Sequence, residues 1–369
     1  MGKHLPQKTT SALKHFLSAL TKPQLKHFLV YLTGLIWLVK FHSTREIASQ
    51  VSKTLPDNLQ RFLNGSAKKE ERLQAANQKT LAQMANKTPE VLAVIDDTTC
   101  SREGKKIEGL GIHHSADGLV KGQCVVTCVL KVAGQWLAWA VEGYRPKASS
   151  PKGEFKSKIE LAGSILRDLR WQLHTSVIVL MDSWYTCAPI LTSIIEAGWT
   201  FVAAIKCNRI LEIAGKKISL RHLAKGRRTY KTVRLSKKRH LKVAKRIVWL
   251  PKVGNVLLFI TKGGAREVRF LITNNLKMTE SEMVELYRQR FGIEIFHKDI
   301  KQHLAFGHMF MRSWQGAQTH WTLVIIAYNL VSLSAPKRLR GFRQKIRHFR
   351  DSVSIENMLR WSKFKRISQ

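Results

Sequence analysis

Val91-Leu-Ala-Val-Ile95-Asp96-Asp97-Thr98 is the stretch on which the reading of this fold turns. Its five apolar residues do not alternate with polar ones and are too few for a helix of their own, which is the form of a central strand buried on both faces. The run stops in carboxylates, so a buried strand delivering Asp96 at its C-terminal end is expected. A second stretch, Ser176-Val-Ile-Val-Leu-Met181-Asp182-Ser-Trp-Tyr185, has the same form. Between them, Gln123–Lys131 and Gln135–Glu142 read as strands joined at Val132-Ala-Gly134, a hairpin, after a loop rich in Gly and Lys (Gly104, Lys105, Lys106, Gly109, Gly111). Gly153–Leu173 sets Phe155, Ile159, Ala162, Leu166 and Leu169 on one helical face. Cys187–Ala197 then reads as a helix and Trp199–Ile205 as a strand.

Three strands, helix, strand, helix, strand is the order of an α/β core of the ribonuclease-H-like kind. In that order the first three strands form an antiparallel meander and the first and fourth lie side by side, so Asp96 and Asp182 meet although they are 86 residues apart. Residues 208–275 depart from the alternation. Tyr230–Leu235, Lys242–Trp249, Val256–Ile260 and Glu267–Thr273 read as short strands between basic turns such as Gly226-Arg-Arg228 and Lys237-Lys-Arg-His240. Residues 208–280 hold 20 basic and 3 acidic residues, a net +17, whereas 91–207 hold 13 and 11. The charge thus surrounds the core and avoids it, as a surface for a phosphate backbone would.

Before the core, Ser11–Leu20, Lys22–Val39, a helix from Thr44, Asp57–Leu63 and Lys68–Asn86 show helical spacing, with a break at Asn64-Gly65. Thr44–Leu63 fits a small helix-turn-helix and equally an ordinary bundle. After residue 275, Thr279 stands three residues before Glu282, a capping box. It opens the run Tyr287-Arg-Gln-Arg290-Phe-Gly-Ile-Glu294-Ile-Phe-His-Lys-Asp-Ile-Lys301. As one helix at about 100° per residue, Tyr287, Arg290, Glu294 and Lys301 fall within an arc of roughly 60°. Phe291, Ile293, Ile295, Phe296, Ile300 and Leu304 then cover the rest, giving a buried helix with one polar strip open to a ligand. A buried helix from Trp321 to Ala335 follows, then a tail from Pro336 with 11 basic and 2 acidic residues. That tail reads as an amphipathic element contacting DNA or a second subunit, or as a ragged basic end.

The whole chain of 369 residues carries a formal charge of +38, which points to nucleic acid before any anionic membrane. Phe28–Val39 and Trp321–Ala335, about 12 and 15 residues long, are too short to span a bilayer. The five cysteines form no Cys-x-x-Cys pair, and Cys124 and Cys128 read as residues on one strand face. His113 and His114 lack helical ligand spacing and read as loop histidines. With no secretory h-region near Met1, a cytoplasmic protein is expected.

In a chain so poor in acids, Asp96, Asp182 and Glu294 ask for an explanation together. Two hard divalent cations about 3.5–4 Å apart take shared carboxylate ligands and stabilise both the attacking and the leaving oxygen of a phosphodiester displacement. Asp96, Asp182 in its Asp-Ser-Trp-Tyr context, and Tyr287-x2-Arg290-x3-Glu294-x6-Lys301 resemble the bacterial insertion-sequence transposases of the DDE class, in the subgroup with a Tyr-Arg-Glu-Lys signature. The resemblance runs over about residues 91–330. It implies that Asp96, Asp182 and Glu294 are catalytic and bind two Mg²⁺ ions, with Mn²⁺ as a substitute. It also implies that Tyr287, Arg290 and Lys301 hold phosphates of the element end and that the β-rich insertion shapes a hairpin-forming site with an aromatic, here Trp249, for a flipped base. For the first acid both Asp96 with Thr98 and Asp97 with Thr99 fit the pattern, and Asp96 directly follows the apolar run. For Trp249, a strand core residue is the competing reading.

The expected organisation is a helical DNA-binding domain over 1–90, a ribonuclease-H-like catalytic core in two parts (91–207 and 276–335), a basic β-rich insertion over 208–275, and a basic tail over 336–369. The expected activity is cleavage and strand transfer of double-stranded DNA, at terminal inverted repeats and target, by a homodimer and without membrane. A ribonuclease-H-like nuclease without strand transfer, or an inactive DNA-binding relative, are the rival readings.

Overall fold

β1, Glu90–Ser101, is shared between two compact units of the computed structural model. The structure describes residues 5, 7–38, 43–52, 54–115, 118–213, 215–225, 229–235, 239–263 and 267–364. Gly226–Arg228 and Lys237–Lys238, in two of the basic turns, lie outside the described residues.

One unit comprises residues 1–87, 97–158 and 295–369. Its helices are α1 (Gln7–Ala19), α2 (Lys22–Trp37), α3 (Thr44–Val51), α4 (Pro56–Leu63) and α5 (Ala67–Ala85), close to the expected spans. β2 (Gly111–Ser115), β3 (Gly118–Val132) and β4 (Gln135–Tyr144) follow, with β2 and β4 both antiparallel to β3. The β3–β4 turn is Ala133-Gly134 at φ 48° and 81°, the left-handed pair that a tight hairpin requires. β2 was not anticipated, because a five-residue strand of Gly, Ile, His, His and Ser has no apolar pattern of its own.

The long helix of this unit, Trp314–Ser334, begins seven residues before the expected Trp321. Ser313 caps it by accepting from the Gly316 amide at 3.1 Å. Its polar residues are spent internally: Asn329 accepts from the Ala138 amide (2.7 Å) and donates to Asn77 (2.8 Å), and His320 meets the Tyr31 hydroxyl at 2.8 Å. Buried polar groups paired in this way fix which faces meet, since leaving one unpaired costs about 1–3 kcal/mol. The basic tail is not ragged within its described part. It forms helices at Phe342–Ser352 and Ile355–Phe364, and Phe342, Phe349 and Trp361 are buried, with Phe349 edge-on to Trp37 at 5.4 Å.

The other unit comprises residues 88–96 and 159–294. In it, β1 lies parallel to β5 (Ser176–Met181), and β5 parallel to β6 (Thr200–Ala204), with α6 (Lys158–Gln172) and α7 (Ala188–Glu196) in the connections. The 208–275 segment holds β7 (Ile210–Ile213), β8 (Lys216–Ser219), α8 (Leu220–Lys225), β9 (Lys231–Arg234), β10 (His240–Leu250), β11 (Gly254–Gly263) and β12 (Glu267–Thr273). It is not a sheet apart: β12 pairs antiparallel with β6, Ile272 opposite Ala203, so the sheet runs on as β5-β6-β12-β11-β10-β7-β8. The architecture is therefore mixed α/β with a mixed sheet. Among the described residues no helix is long and apolar enough to cross a membrane.

Candidate active site

The first two acids are placed by strand register. Residues 90–95 of β1 pair with 176–181 of β5, ending at Ile95 opposite Met181, and Ile95, Leu180 and Met181 are buried to within 1%. Asp96 and Asp182 are the next residues on each strand, so both carboxylates leave neighbouring parallel strands at the same level, where strands stand about 4.8 Å apart. β1 does not end at Asp96 as expected. Thr98, Thr99 and Cys100 favour extended backbone and carry β1 to Ser101 beside β3, while β5 stops at Met181. Asp182 is held by its own turn: Oδ1 accepts from the amides of Trp184 (2.8 Å) and Tyr185 (3.3 Å), and the Thr186 hydroxyl donates to its carbonyl at 2.7 Å.

The third acid comes from a helix pair. Thr279 and Glu282 form the expected capping box, and α9 runs from Glu280 to Gln289. The continuous helix expected from Tyr287 to Lys301 is interrupted at Arg290 and Phe291, and α10 restarts over Gly292–His303. The amides of Arg290, Phe291 and Ile293 reach back three residues, to Tyr287 (3.1 Å), Arg288 (3.3 Å) and Arg290 (3.2 Å). Bonds of that reach tighten and end an α-helix, and Gly292 favours helix by about 1 kcal/mol less than alanine. The break leaves Tyr287, Arg290 and Glu294 within reach of one another, while Phe291 and Ile295, expected to be packed, are 56% and 49% exposed.

Arg290 is the hub. Its guanidinium donates to Asp96 at 3.1 Å and to Glu294, and it stands 5.9 Å from the centre of the Tyr287 ring. Burial works against its charge, but Tyr287, Asp96 and Glu294 outweigh this and raise its affinity for the proton. Burial likewise raises the Tyr287 hydroxyl, opposed by Arg290 and reinforced by the charge of Asp182. Asp96, Asp182, Tyr287, Arg290 and Glu294 thus belong to one compact unit and one electrostatic neighbourhood. The donor set, three carboxylates, suits a hard divalent cation. Among the described residues no group of three or more His, Cys, Asp or Glu side chains is gathered closely enough to hold a metal ion, and Arg290 bridges two of the acids instead.

Asp97 and Lys301 lie in the other unit. Asp97 pairs with Lys158 at 2.6 Å and accepts from the Cys124 thiol, which burial pushes up to about 12. Lys301 donates to the Thr99 carbonyl at 2.9 Å, and both Lys301 and Asp97 line a cleft of about 530 Å³. Trp249 is 48% exposed on β10, opposite Asn255 and Glu212, which removes the strand-core reading. His113 is buried and His114 exposed, both on β2 and not in a loop. Two residues were not singled out from sequence: Trp184, 54% exposed, whose amide donates to Asp182, and Lys206, whose ammonium lies 4.8 Å from the Trp184 ring centre. Trp184 stands within the Asp-Ser-Trp-Tyr string, but nothing local pairs it with Lys206.

Residues 156–330 match a family model. That model describes the transposase DDE domain. The match takes in Asp182, Trp249, Tyr287, Arg290, Glu294 and Lys301, and begins after Asp96. It supports a transposase of the DDE class, a family of metal-dependent enzymes that cut DNA. No curated protein matches the chain.

Proposed function

We propose that this protein is the DNA transposase of a bacterial insertion sequence, which binds the element's ends, cleaves them and joins the 3′ ends to target DNA. The observation that carries the reading is the convergence of Asp96 and Asp182 on neighbouring strands with Glu294 tied to Asp96 through Arg290. The DDE-domain match over residues 156–330 supports it independently. The core is taken as ribonuclease-H-like, with DNA held by the helical 1–90 segment and the basic 208–275 insertion. Two ends are handled together by a homodimer, and excision passes through a hairpin.

Asp96, Asp182 and Glu294 are assigned as the catalytic carboxylates that hold two Mg²⁺ ions, Asp96 being preferred over Asp97 because it follows Ile95 where the β1–β5 register ends, level with Asp182. When bound, the ions supply activation of the attacking oxygen and relief of charge on the leaving one. Arg290 offers a planar fork for a phosphate in place of its carboxylates, and Tyr287 beside it orients that fork. Lys301 is assigned a further phosphate contact and Trp249 a stacking contact with a flipped base.

Incubation with Mg²⁺ and the element-end DNA, with Asp182→Asn as control, tests the reading. Cleaved ends that proceed to hairpin and joined product, absent from the variant, are expected. Free 3′ ends with neither product would leave a nuclease, and no cleavage by either protein would leave a DNA-binding relative.

A further inference from the structure

A second cavity, about 360 Å³, opens within the unit that does not contain the three acids, and the proposed activity makes no use of it. It is lined by two loops, residues 102–107 after β1 and residues 309–312 before the long Trp314–Ser334 helix. Cations dominate the lining: Lys105, Lys106 and Arg312 are exposed, with Glu103 as the one acid among them. At its edge stands Phe310, 61% exposed.

The two loops are braced against each other. Arg102 is buried and its guanidinium donates to the carbonyls of Met309 and of Met311 (2.9 Å), so its charge is committed to the frame. The Glu108 amide donates to the Arg312 carbonyl at 2.9 Å, and the Glu108 carboxylate accepts from the Trp314 amide at 2.8 Å. Gly109, at φ +72°, lies so close to Trp314 that an added Cβ would sit 2.3 Å from the ring. An aromatic left in water on a braced frame, rather than on a loose loop, loses little freedom on meeting a partner. Three exposed cations around it select a polyanion.

We propose that this cavity is a second DNA-contacting site, in which Lys105, Lys106 and Arg312 take backbone phosphates and Phe310 stacks on an unpaired base. Phosphate contacts alone would leave Phe310 without a role, and a paired base within a duplex offers it no face; a strand end or a splayed base offers both. The proposal rests on the reading of the protein as one that acts on DNA.

The test is fluorescence anisotropy with the full chain in EDTA, so that binding is read without cleavage, using a blunt duplex and the same duplex with a three-nucleotide unpaired tail. Wild type should prefer the tailed DNA by about tenfold, Phe310→Ala should abolish that preference while binding the blunt duplex as before, and Phe310→Tyr should keep it. The Lys105→Ala/Lys106→Ala/Arg312→Ala variant should weaken both, and lower the slope of log K against log salt by up to about 0.9 for each phosphate it no longer neutralises. Equal tail preference in wild type and Phe310→Ala, or an unchanged slope in the triple variant, would overturn the second site alone. A Phe310→Ala variant that instead loses a dimer on sedimentation would reassign the patch to contact between copies. Failure of every variant and of wild type to bind either DNA would overturn the DNA reading itself.

Discussion

Arg290→Ala separates what charge holds together at the three acids from what the sheet holds. The guanidinium and Asp96 side chains are 17% and 19% exposed at 3.1 Å, whereas Glu294 is 40% exposed. Their contact therefore contributes about 1–3 kcal/mol, as a charged hydrogen bond sheltered from water does. Screening holds the Glu294 contact below about 1 kcal/mol. Asp96 and Asp182 stay where the β1–β5 register puts them, so the variant should fold. Losing about 2 kcal/mol should lower the melting temperature in EDTA by several degrees. The acids freed of the guanidinium become better ligands for a divalent cation, so 10 mM Mg²⁺, on the order of a usual assay concentration, should stabilise Arg290→Ala more than wild type. Arg290→Lys should fall between them, because one ammonium cannot bridge two carboxylates as a planar fork does. Differential scanning fluorimetry with and without Mg²⁺ reads both effects. The reasoning fails if Arg290→Ala melts with wild type in EDTA, or if Mg²⁺ shifts the two proteins equally.

Glu294→Gln and Asp182→Asn should each lower end cleavage by at least about 100-fold and leave end binding within about twofold, whereas Arg290→Ala should weaken the end complex itself; the reverse pattern in gel-shift and cleavage assays would reassign these roles. Trp249→Ala should slow cleavage of a fully paired end more than of an end whose terminal base is already unpaired, measured as single-turnover rates. Glu70 gives a pH signature: burial lifts its carboxyl from 4.5 to about 7, with the Thr322 hydroxyl donating to it. Between those values the folded chain binds the proton more tightly than the unfolded one, so this stability is full below about pH 4.5 and lost as pH rises through about 7, by at most about 3 kcal/mol. Glu70→Gln should remove that decline, so urea unfolding at pH 5 and pH 8 should show a gain over wild type at the higher pH only. Gly109→Ala should lower stability, since the new Cβ meets Trp314 and the backbone is left-handed, and a melting temperature equal to wild type would count against the braced loop.

Much of this protein is written locally. Val91–Ile95 and Ser176–Met181 are legible as buried strands because their apolar runs permit nothing else, and the acids that follow mark where pairing between them stops. The Thr279–Glu282 cap and the Ala133-Gly134 turn are legible because each needs only its own few residues. The break at Arg290–Phe291 is not legible because every residue there but Gly292 favours the helix well enough, and the contact that Arg290 makes beyond it is with Asp96, 194 residues away. β1 continues past Asp96 because β3 lies beside it, residues 208–273 join the sheet of β5 and β6 because β12 meets β6, and the described part of the tail forms packed helices because Phe342 and Phe349 meet Tyr328 and Trp37. Sequence alone thus singled out candidate side chains for chemistry and the runs that had to be buried, both being read from short stretches. Only the tertiary structure decided which cation stands between which acids, because charge acts across space between residues that the chain order leaves far apart.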